Sequence, residues 1–307
     1  MKILIVGLGS IGRKHLECLQ QYSGVDVTAF RTSKGAKKES SGIIEFTTLQ
    51  NALAYEPNGV IISNPTALHA TSALPFLRKG IKVLIEKPIA ESVKEAEKLV
   101  SFKELIRVAY CLRFYPVSDF VKHLCLEESI FRVSFRRSYY LPKWHSYADY
   151  RLEYSSRKDL GGGVIRTLSH ELDLMLHWFG WPDSVVGVTD RVSPLEIDVD
   201  DFAFFTARSK NGVRISFDLD FFSPENINTG DIFTEKGKYT WDHRGIWFSS
   251  YENSNQLNLS HFREDEINNM YMRQTEDFLN FVRGENSQNA TYKAALNVLE
   301  LIERIDC

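Results

Sequence analysis

In the first third of the chain, hydrophobic positions gather in short, unbroken runs rich in β-branched residues: Lys2–Val6, Val25–Phe30, Val60–Ser63, Lys82–Ile85 and Ile106–Tyr110. Runs without polar alternation suit strands buried on both faces. Helical stretches separate them at Ile11–Tyr22, at Thr66–Lys79 (closed by Gly80) and at Val93–Phe102. Strands alternating with helices of about a dozen residues predict right-handed βαβ units in a parallel sheet.

The pattern changes near Pro116. In Ile130–Tyr139, Phe131, Val133 and Phe135 alternate with Arg132, Ser134 and Arg136. Val213–Phe221 and Phe202–Arg208 alternate in the same way, joined through Lys210-Asn211-Gly212, a hairpin signal. Period-2 patterning predicts an antiparallel sheet with one covered face. Helices are expected at about Gly163–Phe179, Ile267–Val282 and Tyr292–Ile305. The predicted fold class is therefore α/β. A Rossmann-type, doubly wound parallel sheet occupies residues 1–116, and an α+β domain with a mostly antiparallel open sheet occupies residues 117–307.

The 307 residues carry 37 Lys and Arg against 40 acids, a net charge of −3. That balance argues against a nucleic-acid binder built on a broad basic field. Four scattered cysteines (Cys18, Cys111, Cys125, Cys307) form no CxxC, so reduced thiols in a cytoplasmic protein are expected. Neither the cysteines nor the histidines make a metal-ligand constellation, and no catalytic metal is expected. The apolar run Ile3–Val6 stops at Gly7, and none approaches the length needed to cross a membrane, so no membrane partner is expected.

The chemistry concentrates at the strand ends. Gly7-Leu8-Gly9-Ser10-Ile11-Gly12 follows the first strand and opens the first helix, the context a dinucleotide fingerprint requires. Gly7 permits the turn, Gly9 lets backbone approach a pyrophosphate, and Gly12 allows close helix packing, with the helix N-terminus at Ser10 and Ile11 offering N–H groups. The second strand ends in Arg31-Thr32-Ser33 where NAD binders place an acid. An Arg and two hydroxyls suit a 2′-phosphate, so NADP(H) is favoured; an Arg31 that only stacks on adenine leaves NAD as the alternative. Ser63-Asn64-Pro65-Thr66 with His69, and Glu86-Lys87-Pro88, end two further strands at the edge where ligands of such sheets bind. There Thr66 is equally a helix cap, and Lys87 is placed to assist proton transfer.

This combination resembles the glucose–fructose oxidoreductase/inositol dehydrogenase/MocA family. The resemblance rests on Gly7–Gly12 with His15, Asn64-Pro65 with His69, and Glu86-Lys87-Pro88. It extends through Tyr110, Arg113-Phe114 and Pro116, and through Gly161-Gly162-Gly163 followed by His170 and Asp173. It implies an NAD(P)-dependent oxidoreductase moving hydride between nicotinamide and a carbinol or carbonyl of a sugar, cyclitol or nucleotide sugar. Lys87 and His170 then assist proton transfer as the catalytic pair, and the Lys87–Pro88 peptide is often cis. Asn64, Pro65, Thr66, His69, Glu86 and Lys87 are implied on the cofactor. Lys87, Arg113, Arg166, Thr167, His170 and Asp173 are implied on the substrate. A homo-oligomer, dimer or tetramer, built on the open sheet face is also implied.

The chain departs from the family at one place. Relatives commonly carry an Asp one turn before the His, where this sequence has Arg166 or Thr167. An Arg there suits a substrate bearing a carboxylate or phosphate. Two other readings stand beside the dehydrogenase: a glycosidase or lyase that retains its nicotinamide, and a non-catalytic dinucleotide sensor.

Overall fold

The computed structural model describes residues 1–31, 42–144, 148–253, 255–263 and 265–305. They form two compact units, Met1–Cys111 with Asn268–Leu296, and Leu112–Ile267 with Asn297–Cys307.

The first unit opens with β1 (Lys2–Val6), α1 (Ser10–Leu19), β2 (Asp26–Phe30), β3 (Ile44–Phe46) and α2 (Leu49–Ala54). It continues through β4 (Gly59–Ile62), α3 (His69–Leu77), β5 (Lys82–Ile85), α4 (Val93–Glu97) and β6 (Ile106–Val108). These strands pair in parallel in the order β6-β5-β4-β1-β2-β3, a doubly wound sheet whose chain reverses direction at β1. Ile3, Ile5, Ile61 and Leu84 are wholly buried in its core, as their unbroken apolar runs require. Two helices are shorter than their sequence patterns suggest. A 3₁₀ turn at Thr66–Leu68 precedes α3, and α4, capped by Ser92 accepting from the Glu95 N–H, gives way to 3₁₀ turns at Val100–Leu105.

The second unit begins with α5 (Pro116–Glu127), so Pro116 is the first helical residue, where its missing N–H costs nothing. Then follow β7 (Ile130–Ser138), α6 (Leu141–Trp144), α7 (Val164–Thr167) and α8 (Ser169–Phe179). The strands β8 (Ser184–Asp190), β9 (Phe202–Arg208), β10 (Arg214–Asp220), β11 (Ile227–Thr234), β12 (Gly237–Asp242), β13 (Gly245–Ser250) and β14 (Leu257–His261) complete it. The sheet order is β14-β13-β12-β11-β7-β10-β9-β8, antiparallel except for β7 beside β10. Phe135, Phe217 and Phe205 stack in succession on the covered face, with centroids 4.8 and 4.3 Å apart. Trp178 of α8 lies over Phe135 at 5.7 Å and Phe120 of α5 over Tyr239 at 5.5 Å, so these two helices cover the sheet. Each buried aromatic contributes about 1.5–3 kcal/mol. Arg136 and Arg137, adjacent on β7, point to opposite sides; Arg137 lies 4.0 Å from the buried Glu171.

The chain then returns through α9 (Glu266–Arg283), β15 (Ala290–Thr291) and α10 (Tyr292–Ile305). Phe278, Leu279 and Phe281 of α9 are buried in the first unit's core, and β15 adds an antiparallel edge to β6. Residues 268–296 thus belong to the first unit, whereas the patterning assigned everything after Pro116 to the second. A helix's amphipathic stripe says that it must be covered, not by which sheet.

Candidate functional site

The glycine turn is built as its spacing demands. Gly7 adopts φ +95°, and a Cβ on it would stand 2.9 Å from the Asn64 nitrogen. A Cβ on Gly12 would stand 2.2 Å from the Gly7 carbonyl oxygen, so α1 lies against the turn only because that position is bare. Gly9 differs: a Cβ there meets no atom within 4 Å, so packing within the protein does not account for the residue. It is the N-cap of α1 and makes no side-chain cap, and Ser10 and Ile11 form the first turn beneath open space. Bare backbone, uncapped N–H groups and the partial positive charge of a helix start fit a dinucleotide pyrophosphate.

At the tip of β2, Arg31 Nη1 lies 3.1 and 3.3 Å from the carboxylate oxygens of Glu45 on β3. Thr32 and Ser33 lie outside the described residues. Between β4 and α3, Asn64 donates to the Ser72 hydroxyl at 2.7 Å, and its buried Oδ1 meets no donor among the described residues. Pro65 precedes the 3₁₀ turn that the buried Thr66 begins. His69 is 1 % exposed; its Nδ1 lies 2.8 Å from the Pro88 carbonyl oxygen and its Nε2 2.8 Å from that of Asn64. Burial pushes its pKa down, against the pull of the two carbonyls and of Glu86.

The strand-end motif after β5 places Lys87 half-buried between the buried Glu86 and Pro88, and the Lys87–Pro88 peptide is cis. One Glu86 oxygen lies 2.7 Å from Nε2 of His15 on α1, and the other accepts from the Lys87 N–H at 3.2 Å. Cys111 is close to Glu86 and Lys87, and burial pushes its thiol up to about 12. Tyr271 of α9 bonds that thiol, and its phenol is raised by the neighbouring Cys111 and by burial. His15 belonged to the sequence motif without a role, and nothing in sequence pointed to Cys111 or Tyr271, which approach from distant segments.

In the second unit, Gly161–Gly163 lead into α7. Gly163 is held at φ +113° against Asp200, whose carboxylate accepts from the Ile165 N–H at 3.2 Å. The single helix expected over Gly163–Phe179 breaks at Leu168 (φ −96°, ψ 30°) into α7 and α8. Arg166 and His170 flank the break and are half-buried, whereas Thr167 and Asp173 are buried. Asp173 receives both Nε and Nη2 of Arg113, at 2.8 and 2.6 Å, with the two side chains 1 % and 9 % exposed. His177, one turn further along α8, is pushed to about 4 by burial and then by the Arg113 and Lys122 charges. Of the predicted residues, the structure therefore joins Arg113 to Asp173, and His69 to Asn64 and Pro88.

Two family models match this chain. The oxidoreductase family with NAD-binding Rossmann fold matches residues 1–107, and the GFO/IDH/MocA C-terminal domain matches residues 129–240. The chain belongs to the GFO/IDH/MocA oxidoreductase family. It is similar to 4-carboxy-2-hydroxymuconate-6-semialdehyde dehydrogenase of Sphingobium sp., 28% identical over 132 residues, 39% of this chain and 42% of the relative. It is also similar to inositol 2-dehydrogenase of Corynebacterium glutamicum, 24% identical over 128 residues, 38% of each chain. These matches span only about two-fifths of the relatives' own length. Among solved structures, the fold is shared with the WlbA dehydrogenase of Bordetella pertussis, determined with NADH and UDP-GlcNAcA. That likeness has a TM-score of 0.82 at 19% identity, over 99% of this chain and 94% of WlbA. In this GFO/IDH/MocA protein, the NAD-binding Rossmann fold is the one described above for the first unit.

Proposed function

We propose that the protein is a nicotinamide-dependent oxidoreductase of a sugar-like alcohol or ketone that carries an acidic group. The observation that carries this reading is the bare cradle over Gly9 on the same sheet edge that delivers Lys87. Gly7, Gly9, Ser10, Ile11 and Gly12 hold the pyrophosphate, and Arg31 with Thr32 and Ser33 receives a 2′-phosphate, which favours NADP(H). Glu45 shares the Arg31 guanidinium and so counts toward NAD(H). Asn64, Pro65 and Thr66 line the cofactor, while His69 and Glu86 act from behind that loop. The bound cofactor supplies or accepts the hydride. Either His170 or the neutral Lys87 amine takes the hydroxyl proton and returns it; with His170 as the base, the Lys87 ammonium stabilises the developing alkoxide charge.

Arg166 or Thr167 occupies the place where the family commonly has an acid, and with Arg166 there its guanidinium reads a carboxylate or phosphate through paired hydrogen bonds. Thr167 is assigned to the substrate with it, and the Arg113–Asp173 pair holds α8 one turn beyond His170. WlbA was determined with an acidic nucleotide sugar, which makes such compounds the first to try. Neutral and acidic sugars and nucleotide sugars are offered with NADPH and with NADH, and turnover is followed at the nicotinamide absorbance. Net turnover of an acidic compound is expected, with Arg166→Ala losing about 100-fold in kcat/KM on it and little on a neutral analogue. Equal losses on both would sink the assignment of Arg166. A tightly retained cofactor without net turnover would favour the lyase reading, and binding without chemistry the sensor.

The uncovered face of the second sheet carries exposed Val186, Val188 and Phe204 beside Arg132, Arg136, Arg208 and Arg214. We assign it to pairing with another copy in a dimer or tetramer, to be read by light scattering.

A further inference from the structure

We propose that His15 and His69 are positioning residues that brace the Lys87 backbone from both sides and tie it to the two loops that hold the cofactor. This rests on the proton-transfer role proposed for Lys87.

The braces are symmetrical about the lysine. On one side Glu86 is clasped by His15 at 2.7 Å, and its second oxygen closes onto the Lys87 N–H. On the other, the Pro88 carbonyl lies 2.8 Å from His69, whose opposite nitrogen lies 2.8 Å from the Asn64 carbonyl. His15 belongs to the helix that Gly9 begins, and His69 opens the helix after the Asn64-Pro65 loop. Both rings are 1 % exposed, so neither is placed to touch substrate. The titratable and charged groups facing the braces are Glu86, Lys87, Cys111 and Tyr271, and the Cys111 thiol and Tyr271 phenol are held protonated.

A lysine ammonium rides on a flexible four-carbon stem, so its reach is set chiefly by where the backbone starts it. A displacement of about 1 Å at a reacting group can cost on the order of 100-fold in rate. Buried side chains that fix residues 86 and 88 together are suited to preventing it.

Four variants separate positioning from simple stability. His15→Gln places an amide donor near the Nε2 position for Glu86, and His69→Asn places one near the Nδ1 position for Pro88. His15→Leu and His69→Leu keep neither. The leucine variants are expected to lose about tenfold or more in kcat, with the KM for cofactor within about threefold and a displaced pH profile; His15→Gln stays near wild type and His69→Asn falls between. A second readout does not depend on turnover. After reductive methylation with ¹³C-formaldehyde, the dimethyl-Lys87 NMR signal, assigned by Lys87→Arg, should move in the leucine variants and return in His15→Gln. If wild type turns over no sugar, the proposed function falls while the NMR comparison still decides the brace. Coincident Lys87 signals in all variants, or equal damage from glutamine and leucine at position 15, would overturn it. Should the leucine variants not fold, His69→Asn decides. It retains the Pro88 contact and drops that of Asn64, and a Lys87 signal and kcat identical to wild type count against the brace.

Discussion

The buried pair between Arg113 and Asp173 makes a sharp quantitative claim. Its two side chains are 9 % and 1 % exposed and meet through two hydrogen bonds of 2.8 and 2.6 Å. Arg113→Met keeps an apolar stem of similar length, so the packing lost is small and the main effect is a carboxylate stranded without its partner. Removing one member of such a pair costs about 3–5 kcal/mol. With a urea dependence of about 2 kcal/mol per molar, the unfolding midpoint should fall by about 1.5–2.5 M. All five tryptophans (Trp144, Trp178, Trp181, Trp241 and Trp247) lie in the second unit, so intrinsic fluorescence reports that unit alone. The double variant Arg113→Met/Asp173→Leu removes both charges and should recover most of the loss, giving a strongly non-additive cycle. Single variants within about 1 kcal/mol of wild type, or costs that simply add, would refute the reading and mean that water reaches the pair.

Two further perturbations follow from the same geometry. Gly9→Ala should fold with unchanged stability, because its Cβ meets nothing, yet weaken cofactor binding by about tenfold or more in a fluorescence titration. Gly12→Ala, whose Cβ would lie 2.2 Å from the Gly7 carbonyl oxygen, should lose stability as well; equal behaviour of the two would contradict the cradle. For His177, burial lowers the folded pKa to about 4, whereas the unfolded chain binds that proton near 6.5. Stability should therefore fall as pH drops from about 6.5 toward 4 and level off below. The loss is about 1–2 kcal/mol once screening of this partly exposed ring is allowed for. His177→Gln should flatten that slope in urea titrations at pH 7.5, 5.5 and 4, and an unchanged slope would remove His177 as the cause.

The parallel half was largely legible in sequence. Strands buried on both faces leave unbroken apolar runs, and the glycines at 7, 9 and 12 mark a turn whose geometry excludes side chains. The second sheet was legible only near its centre. Runs such as Ile227–Thr234 intersperse Asn, Gly and Asp among apolar residues, and their alternation is too weak to read without the neighbouring strand. The break at Leu168 was hidden because helix periodicity continues across it, and Asp200, which accepts from the Ile165 N–H at the start of α7, comes from a distant loop.

The sequence by itself determined the alternation of elements, the dinucleotide turn and the order in which Lys87 and His170 appear, because each depends on neighbours within a few residues. Only the tertiary structure decided that α9 seals the first unit, that Arg113 is committed to Asp173, and that His15 and His69 close on Glu86 and Pro88. Those contacts join residues 19 to 71 positions apart, or more than 200 for α9 against the first strand. Long-range pairing of this kind leaves no periodic trace in a single chain. It is set by which buried donor finds which buried acceptor once the apolar faces have met.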